Sequence, residues 1–122
     1  MSVEENKAII RRHVEEWSNK NPAAAIDELV ATDFIAHAPE RDQVGIDWFR
    51  QLYIHQANTY PDRTYQITDM IAEGDKVAVM LEYRYTDPTT DQKRGMTGVN
   101  IYRISGGKMQ DFWGTWPEER PV

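Results

Sequence analysis

The chain changes its apolar period at Pro61. Upstream, apolar residues recur at helical spacing; downstream, they alternate. A helix gathers i, i+3, i+4 and i+7 on one face, whereas a strand sends successive side chains to opposite faces. The two parts are therefore dominated by different kinds of element. Of everything in these 122 residues, this switch restricts the fold most.

Ser2 with Glu5 forms a capping box that opens a first helix. Ile10, Val14 and Trp17 give it one apolar stripe, and residues 18–21 break it. Asn21 then serves as an N-cap, with Pro22 at the first helical position of a shorter helix. Ala25, Ile26, Leu29 and Val30 form its buried face. Phe34 and Ile35 continue into a short extended piece, and a polar loop runs from His37 to Gly45. A third helix spans about 46–58, with Phe49, Leu52, Tyr53 and Gln56 at helical spacing. The Tyr60-Pro61-Asp62 run ends it.

Beyond Pro61, residues 64–72 read as a strand and Glu73-Gly74-Asp75 as a hairpin turn. The return strand, 76–86, puts Val77, Val79, Leu81, Tyr83 and Tyr85 on one face. A polar loop at 87–93 leads to a strand at 97–104, a Gly-rich turn, and a last strand at 109–116 stopped by Pro117. Helices followed by an antiparallel meander predict the α+β class, as one domain over 1–122. Sheets twist and curl. Three helices over a curved antiparallel sheet make a cone, with a hollow lined by inward strand residues and the third helix.

The composition narrows the partners. Net charge is −6, and the Arg11-Arg12 pair is followed one turn later by Glu15-Glu16. That is a solvated helix face, and an acidic surface without a basic stripe argues against nucleic acid. The chain has no cysteine, which removes disulfides, thiolate metal sites and a cysteine nucleophile. Its start is charged and polar rather than a signal peptide, and no apolar run approaches the ~20 residues of a membrane span. These features predict a cytoplasmic protein. No histidine pair has spacing or carboxylate company that suggests a metal.

Several segments taken together are similar to the SnoaL-like polyketide cyclases of the nuclear transport factor 2-like superfamily. They are Asp33-Phe34-Ile35-Ala36-His37-Ala38-Pro39, Gly45-Ile46-Asp47-Trp48-Phe49 and Tyr60-Pro61-Asp62. Next come Ala72-Glu73-Gly74-Asp75-Lys76-Val77-Ala78-Val79, the Thr97-Gly98 pair, and Ile101-Tyr102-Arg103-Ile104 through Gly107-Lys108-Met109 to Trp113. The resemblance covers nearly the whole chain, and its order and spacing speak for fold more than for activity. It implies a cone-shaped fold with a deep pocket, a homodimer through the outer sheet face, and no metal or organic cofactor. It also implies a small hydrophobic or aromatic ligand. Members include cyclases, ketosteroid isomerases, epoxide hydrolases and proteins without catalysis.

In the cyclases of this family a carboxylate on the last strand is the general acid/base, and a histidine helps it. Those positions fall on Gly114 and Asn100 here. The acid of the epoxide hydrolases also falls on Gly114. A glycine cannot abstract a proton, so the chemistry has moved to another residue or is lost. A strand glycine marks a bulge or a close approach, and in a pocket wall the approaching group could be the ligand.

If position 114 faces inward, alternation turns Gln110, Phe112 and Trp116 inward and Asp111 and Trp113 outward; a bulge at Gly114 would reverse this. Asp111 is the one acid of the last strand and the substitute base, unless it is a solvated or interface carboxylate. His37, expected at the mouth of the cone, is the other catalytic candidate, against a structural histidine bonded to a loop carbonyl. Asn100 is a ligand-binding candidate, because an unpaired amide in an apolar wall costs ~1–3 kcal/mol; a neighbouring side chain or water would serve equally. Tyr83 and Tyr85 offer hydroxyls to a ligand carbonyl, or plain core, and Tyr102 joins the ligand-binding set on the face it shares with Asn100 and Gly98. Trp48, Phe112, Gly114 and Trp116 complete the predicted pocket wall, with simple packing as the alternative for the aromatics. His55 and His13 read as exposed, His13 because Arg12 adjoins it.

Three functions follow. The first is a cofactor-independent acid/base enzyme, a cyclase or isomerase, acting on a hydrophobic carbonyl compound. The second is a non-catalytic binding module. The third is an interaction domain whose hollow is filled by Trp48, Phe112 and Trp116.

Overall fold

The computed structural model describes residues 2–17, 23–37 and 41–114. The elements run α1 (Val3–Trp17), α2 (Ala23–Leu29), β1 (Val30–His37), β2 (Gln43–Val44), α3 (Ile46–Thr59), β3 (Thr64–Glu73), β4 (Lys76–Thr86), β5 (Lys93–Ser105) and β6 (Lys108–Gly114). Helices precede the meander, as the period switch requires. The expected caps at Asn21 and Pro22, the loop residues Ala38 and Pro39, and the end of the last strand with Trp116 and Pro117 lie outside the described residues.

The capping box is present. Ser2 N donates to Glu5 Oε1 at 3.2 Å, and Glu5 N donates to Ser2 Oγ at 3.1 Å. At the start of α3, Gly45 takes a positive φ of 101° and donates its N–H to Phe34 O at 2.7 Å. That bond ties the helix entry to β1, in a conformation that glycine adopts readily.

Six strands form one curved, open sheet in the order β2-β1-β6-β5-β4-β3. Every pairing is antiparallel except β1 with β6, which is parallel. The extended piece expected around Phe34 is thus a full strand beside β6. His37 ends that strand rather than opening a loop, and β5 begins four residues earlier than the alternation suggested. Among the described residues no helix is long and apolar enough to cross a membrane.

The core fills the concave side. Ile10 and Val14 of α1, Val30 and Phe34 of β1, Val77 and Val79 of β4 and Met109 of β6 are buried there. Burying such side chains contributes ~1.5–3 kcal/mol each. Arg63 is also buried. Its Nη2 donates to Trp17 O at 2.9 Å and its Nη1 to Tyr60 O at 3.4 Å, with the guanidinium over the Tyr53 ring. Trp17 ends α1 and Tyr60 caps α3, so this cation meets the negative ends of two helices.

The last strand carries a bulge, at Gln110 rather than Gly114. Arg103 pairs with Asp111 and Ile104 with Met109, which leaves Gln110 without an opposite residue. Met109 and Phe112 therefore both face the core. Gln110, expected inward, instead donates to Asp33 O and Oδ1.

Candidate functional site

Between α1, α3 and the concave face of β3–β6 lies a cavity of about 230 Å³. Its wall is mostly aromatic. Trp48 and Phe49 enter from α3, Phe34 from β1, Tyr65 and Tyr83 from β3 and β4, and Tyr102 and Phe112 from β5 and β6. None of its lining residues among those described is Asp, Glu, Lys or Arg. Five of the predicted ligand-binding residues, Trp48, Tyr83, Asn100, Tyr102 and Phe112, sit in this wall.

His13 sits there too, which the sequence reading missed. Its ring packs against Trp17 at 5.5 Å, Phe49 at 5.6 Å and Tyr102 at 5.5 Å between centroids. No described residue hydrogen-bonds its nitrogens. Burial lowers its pKa to about 4, because the charged form loses its water. At neutral pH the imidazole is therefore uncharged, with one ring nitrogen able to donate a hydrogen bond and the other to accept one.

Gln56 sits in the wall between Trp17 and Tyr65. Its Oε1 accepts from Trp17 Nε1 at 2.7 Å and from Tyr65 Oη at 2.6 Å. Tyr65 stacks on Tyr83 at 4.6 Å, and Tyr83 stacks on Tyr85 at 4.9 Å. Burial raises the Tyr65 pKa to about 12, and it pushes Tyr83 and Tyr102 upward as well. These phenols stay protonated and act as hydrogen-bond groups, not bases. Asn100 Nδ2 lies 3.4 Å from Tyr102 Oη, a long bond that leaves the amide able to meet another partner.

The two residues expected to be catalytic lie elsewhere. His37 and Asp111 are brought together on the convex face of the sheet, outside the cavity wall. His37 Nε2 donates to Asp111 Oδ1 at 2.9 Å, and its Nδ1 lies 3.4 Å from Asp42 Oδ2. Arg103 Nε donates to Asp111 Oδ2 at 2.5 Å. The His37 ring stacks on Trp113 at 4.6 Å with 7° between planes, and Lys76 Nζ lies over the other aromatic system of that pair, the Trp113 ring, at 5.5 Å. Burial raises the Asp111 pKa, but bonds and charge from His37 and Arg103 outweigh it and hold the carboxyl below its ordinary value. This is a paired, buried carboxylate rather than a base poised at a cavity.

The family model described as SnoaL-like domain matches residues 10–112. The chain belongs to the SnoaL-like family. Its fold is the nuclear transport factor 2-like α+β fold. TsrD from Streptomyces laurentii superposes with a TM-score of 0.83 at 16% identity, over 94% of this chain and 90% of that one. A candidate polyketide cyclase from Acidithiobacillus ferrooxidans gives 0.81 at 19% identity, over 94% and 90%. A de novo designed protein with a curved β-sheet gives 0.76 at 15% identity, over 93% and 86%. At these identities the likeness concerns fold, and the designed protein underlines that this fold forms without an inherited activity. No curated protein matches the chain.

In this SnoaL-like chain the two positions that the resemblance marks for acid and histidine are neighbours, since Asn100 pairs with Gly114. What closes on Gly114 is not open space for a ligand. A Cβ there would collide with the tip of the Phe112 ring and lie 2.7 Å from Asn100 Oδ1. His13 had a signal in the sequence: it is three residues after Ile10 and four before Trp17, on the same stripe. Gln56 had one too, as the last residue of the inward face of α3.

Proposed function

We propose that this SnoaL-like protein binds a small hydrophobic carbonyl compound in the aromatic cavity, and that His13 is the base available to it there. The observation that carries this reading is the His13 ring, packed against Trp17, Phe49 and Tyr102 in a cavity wall that holds no carboxylate among its described residues. A neutral imidazole near an acidic C–H can abstract its proton without a metal or organic cofactor. His37 and Asp111, on the other sheet face, take no part in it.

The test uses 1-tetralone in D₂O. Wild-type protein should raise its melting temperature and speed exchange of the protons next to the carbonyl. His13→Phe should keep the thermal shift and lose most of the exchange, by about 100-fold. Binding without any exchange in either protein favours the non-catalytic module, a reading supported by the glycine at position 114. No thermal shift with carbonyl or aromatic probes rejects both readings.

We also propose that the convex face of the sheet packs against a second copy of the chain. Ile71, Met80, Val99 and Ile101 are 68%, 42%, 43% and 38% exposed on this face. Register aligns Ile71, Ala78, Ile101 and Trp113 in one row, and Met80 with Val99 in the next. Adjacent rows of exposed apolar side chains favour an interface over solvent.

A further inference from the structure

We propose that Gln56 selects the cavity's ligand by donating from its amide nitrogen to a neutral carbonyl oxygen on a compound of one or two rings. This rests on the cavity being a binding site, and it adds the chemistry by which the site chooses.

The orientation of the Gln56 amide is forced. An indole N–H can only donate, so the atom 2.7 Å from Trp17 Nε1 is the amide oxygen. Tyr65 Oη donates to the same oxygen at 2.6 Å. Two donors fill its lone pairs, and the Nε2 end is left with two N–H groups. No described residue accepts from them. Bonds onto the oxygen polarise the amide and strengthen its donors. Because Trp17 and Tyr65 are themselves held by ring packing, the donor is fixed before any ligand arrives. A group so placed costs little further ordering on binding.

The acceptor it suits is uncharged. A carboxylate or phosphate in this cavity would lose its water and find no cation among the described lining residues. A ketone or quinone oxygen carries no such penalty. Size sets the rest. The cavity, at about 230 Å³, lies between the ~150 Å³ void that takes benzene and the ~300–1,000 Å³ of sites for drug-sized ligands. One or two rings fit.

The experiment compares 1-tetralone with tetralin, the same skeleton without the oxygen. One directed hydrogen bond contributes ~0.5–1.5 kcal/mol, so wild-type protein should prefer the ketone by about 2–10-fold. Gln56→Met should abolish that preference while tetralin binds as before. A second measurement needs no variant. In ¹⁵N-labelled wild-type protein the Gln56 side-chain amide resonances should move with tetralone and stay in place with tetralin. Equal affinity for the two probes, or an unmoved Gln56 amide in the ketone complex, overturns the role of Gln56 and leaves the cavity reading standing. Failure of both probes to bind overturns the cavity reading and this one together.

Discussion

Gly114 faces Asn100 directly across the β5–β6 ladder, and the Phe112 ring closes over the space a side chain at 114 would need. The missing last-strand acid is therefore a packing fact as well as a chemical one. Gly114→Ala forces Phe112 or Asn100 aside and should destabilise the protein by ~1–3 kcal/mol. In a Phe112→Leu background, which removes the ring tip, the cost should shrink markedly. Urea unfolding of the four proteins in a double-mutant cycle measures the coupling. A coupling near zero would mean that Phe112 does not hold this position closed. Gly114→Asp would by the same argument not restore an acid to the cavity unless Phe112 moves.

His13 gives the protein a defined response to acid. Its folded pKa is about 4 against an ordinary 6.5. The unfolded chain thus binds a proton at a pH where the folded chain does not. Stability falls as pH drops from about 6.5 to about 4 and then levels, for this group, once both states are protonated. The shift corresponds to about 3 kcal/mol across that window. Urea denaturation at pH 7.5 and pH 4.5 should give a smaller difference for His13→Phe than for wild type. Parallel losses in both proteins would place the imidazole in water rather than in the cavity wall.

Asp111 responds in a lower window. Its folded pKa lies below the ordinary 3.8 because His37 and Arg103 hold the carboxylate against the effect of burial. The stability it contributes is present above about 3.8 and is lost as pH falls through the lowered value. At 7% exposure, Asp111→Asn should cost ~2–4 kcal/mol at pH 7, since both partners lose a charged acceptor. The gap from wild type should close as pH falls below 4. Tetralone affinity should not change, because the cluster lies on the opposite sheet face from the cavity. A variant that keeps its stability and loses ketone binding would assign Asp111 to the ligand after all.

Much of this architecture was legible because it follows from period. The face of β4 that carries Val77, Val79 and Leu81 is the buried face, as strict alternation demands. The third helix presents Phe49 and Tyr53 inward for the equivalent reason. What period cannot give is which strands become neighbours. The parallel seam of β1 and β6 is a tertiary choice, and it carries His37 to Asp111 and Trp113 on the convex side. The bulge at Gln110 is local to the β5–β6 ladder, so the inward set of the last strand was misread at one residue. His13 was hidden by a sequence neighbour: Arg12 made it look solvated, although a helix turns about 100° per residue and sends the two to different faces. The pairing of Gln56 with Trp17 joins residues 39 positions apart, and no short-range pattern contains it.

The convex face supplies the remaining prediction. Met80 lies opposite Val99 on one side and Asp69 on the other. Met80→Lys places a cation beside the Asp69 carboxylate, a cross-strand pair that contributes ~0.2–1 kcal/mol to the folded chain. The monomer's own fold should thus tolerate the change. An apolar interface should not, because two copies related by a twofold axis would each bury the new charge without a partner across the contact. Light scattering should find wild type as a dimer and Met80→Lys as a monomer at the same concentration, with the melting temperature of the variant falling toward that of diluted wild type. A wild-type monomer at every concentration tested, or a dimer unmoved by Met80→Lys, would remove this face from the assembly and leave Ile71, Val99 and Ile101 as exposed residues without a structural use.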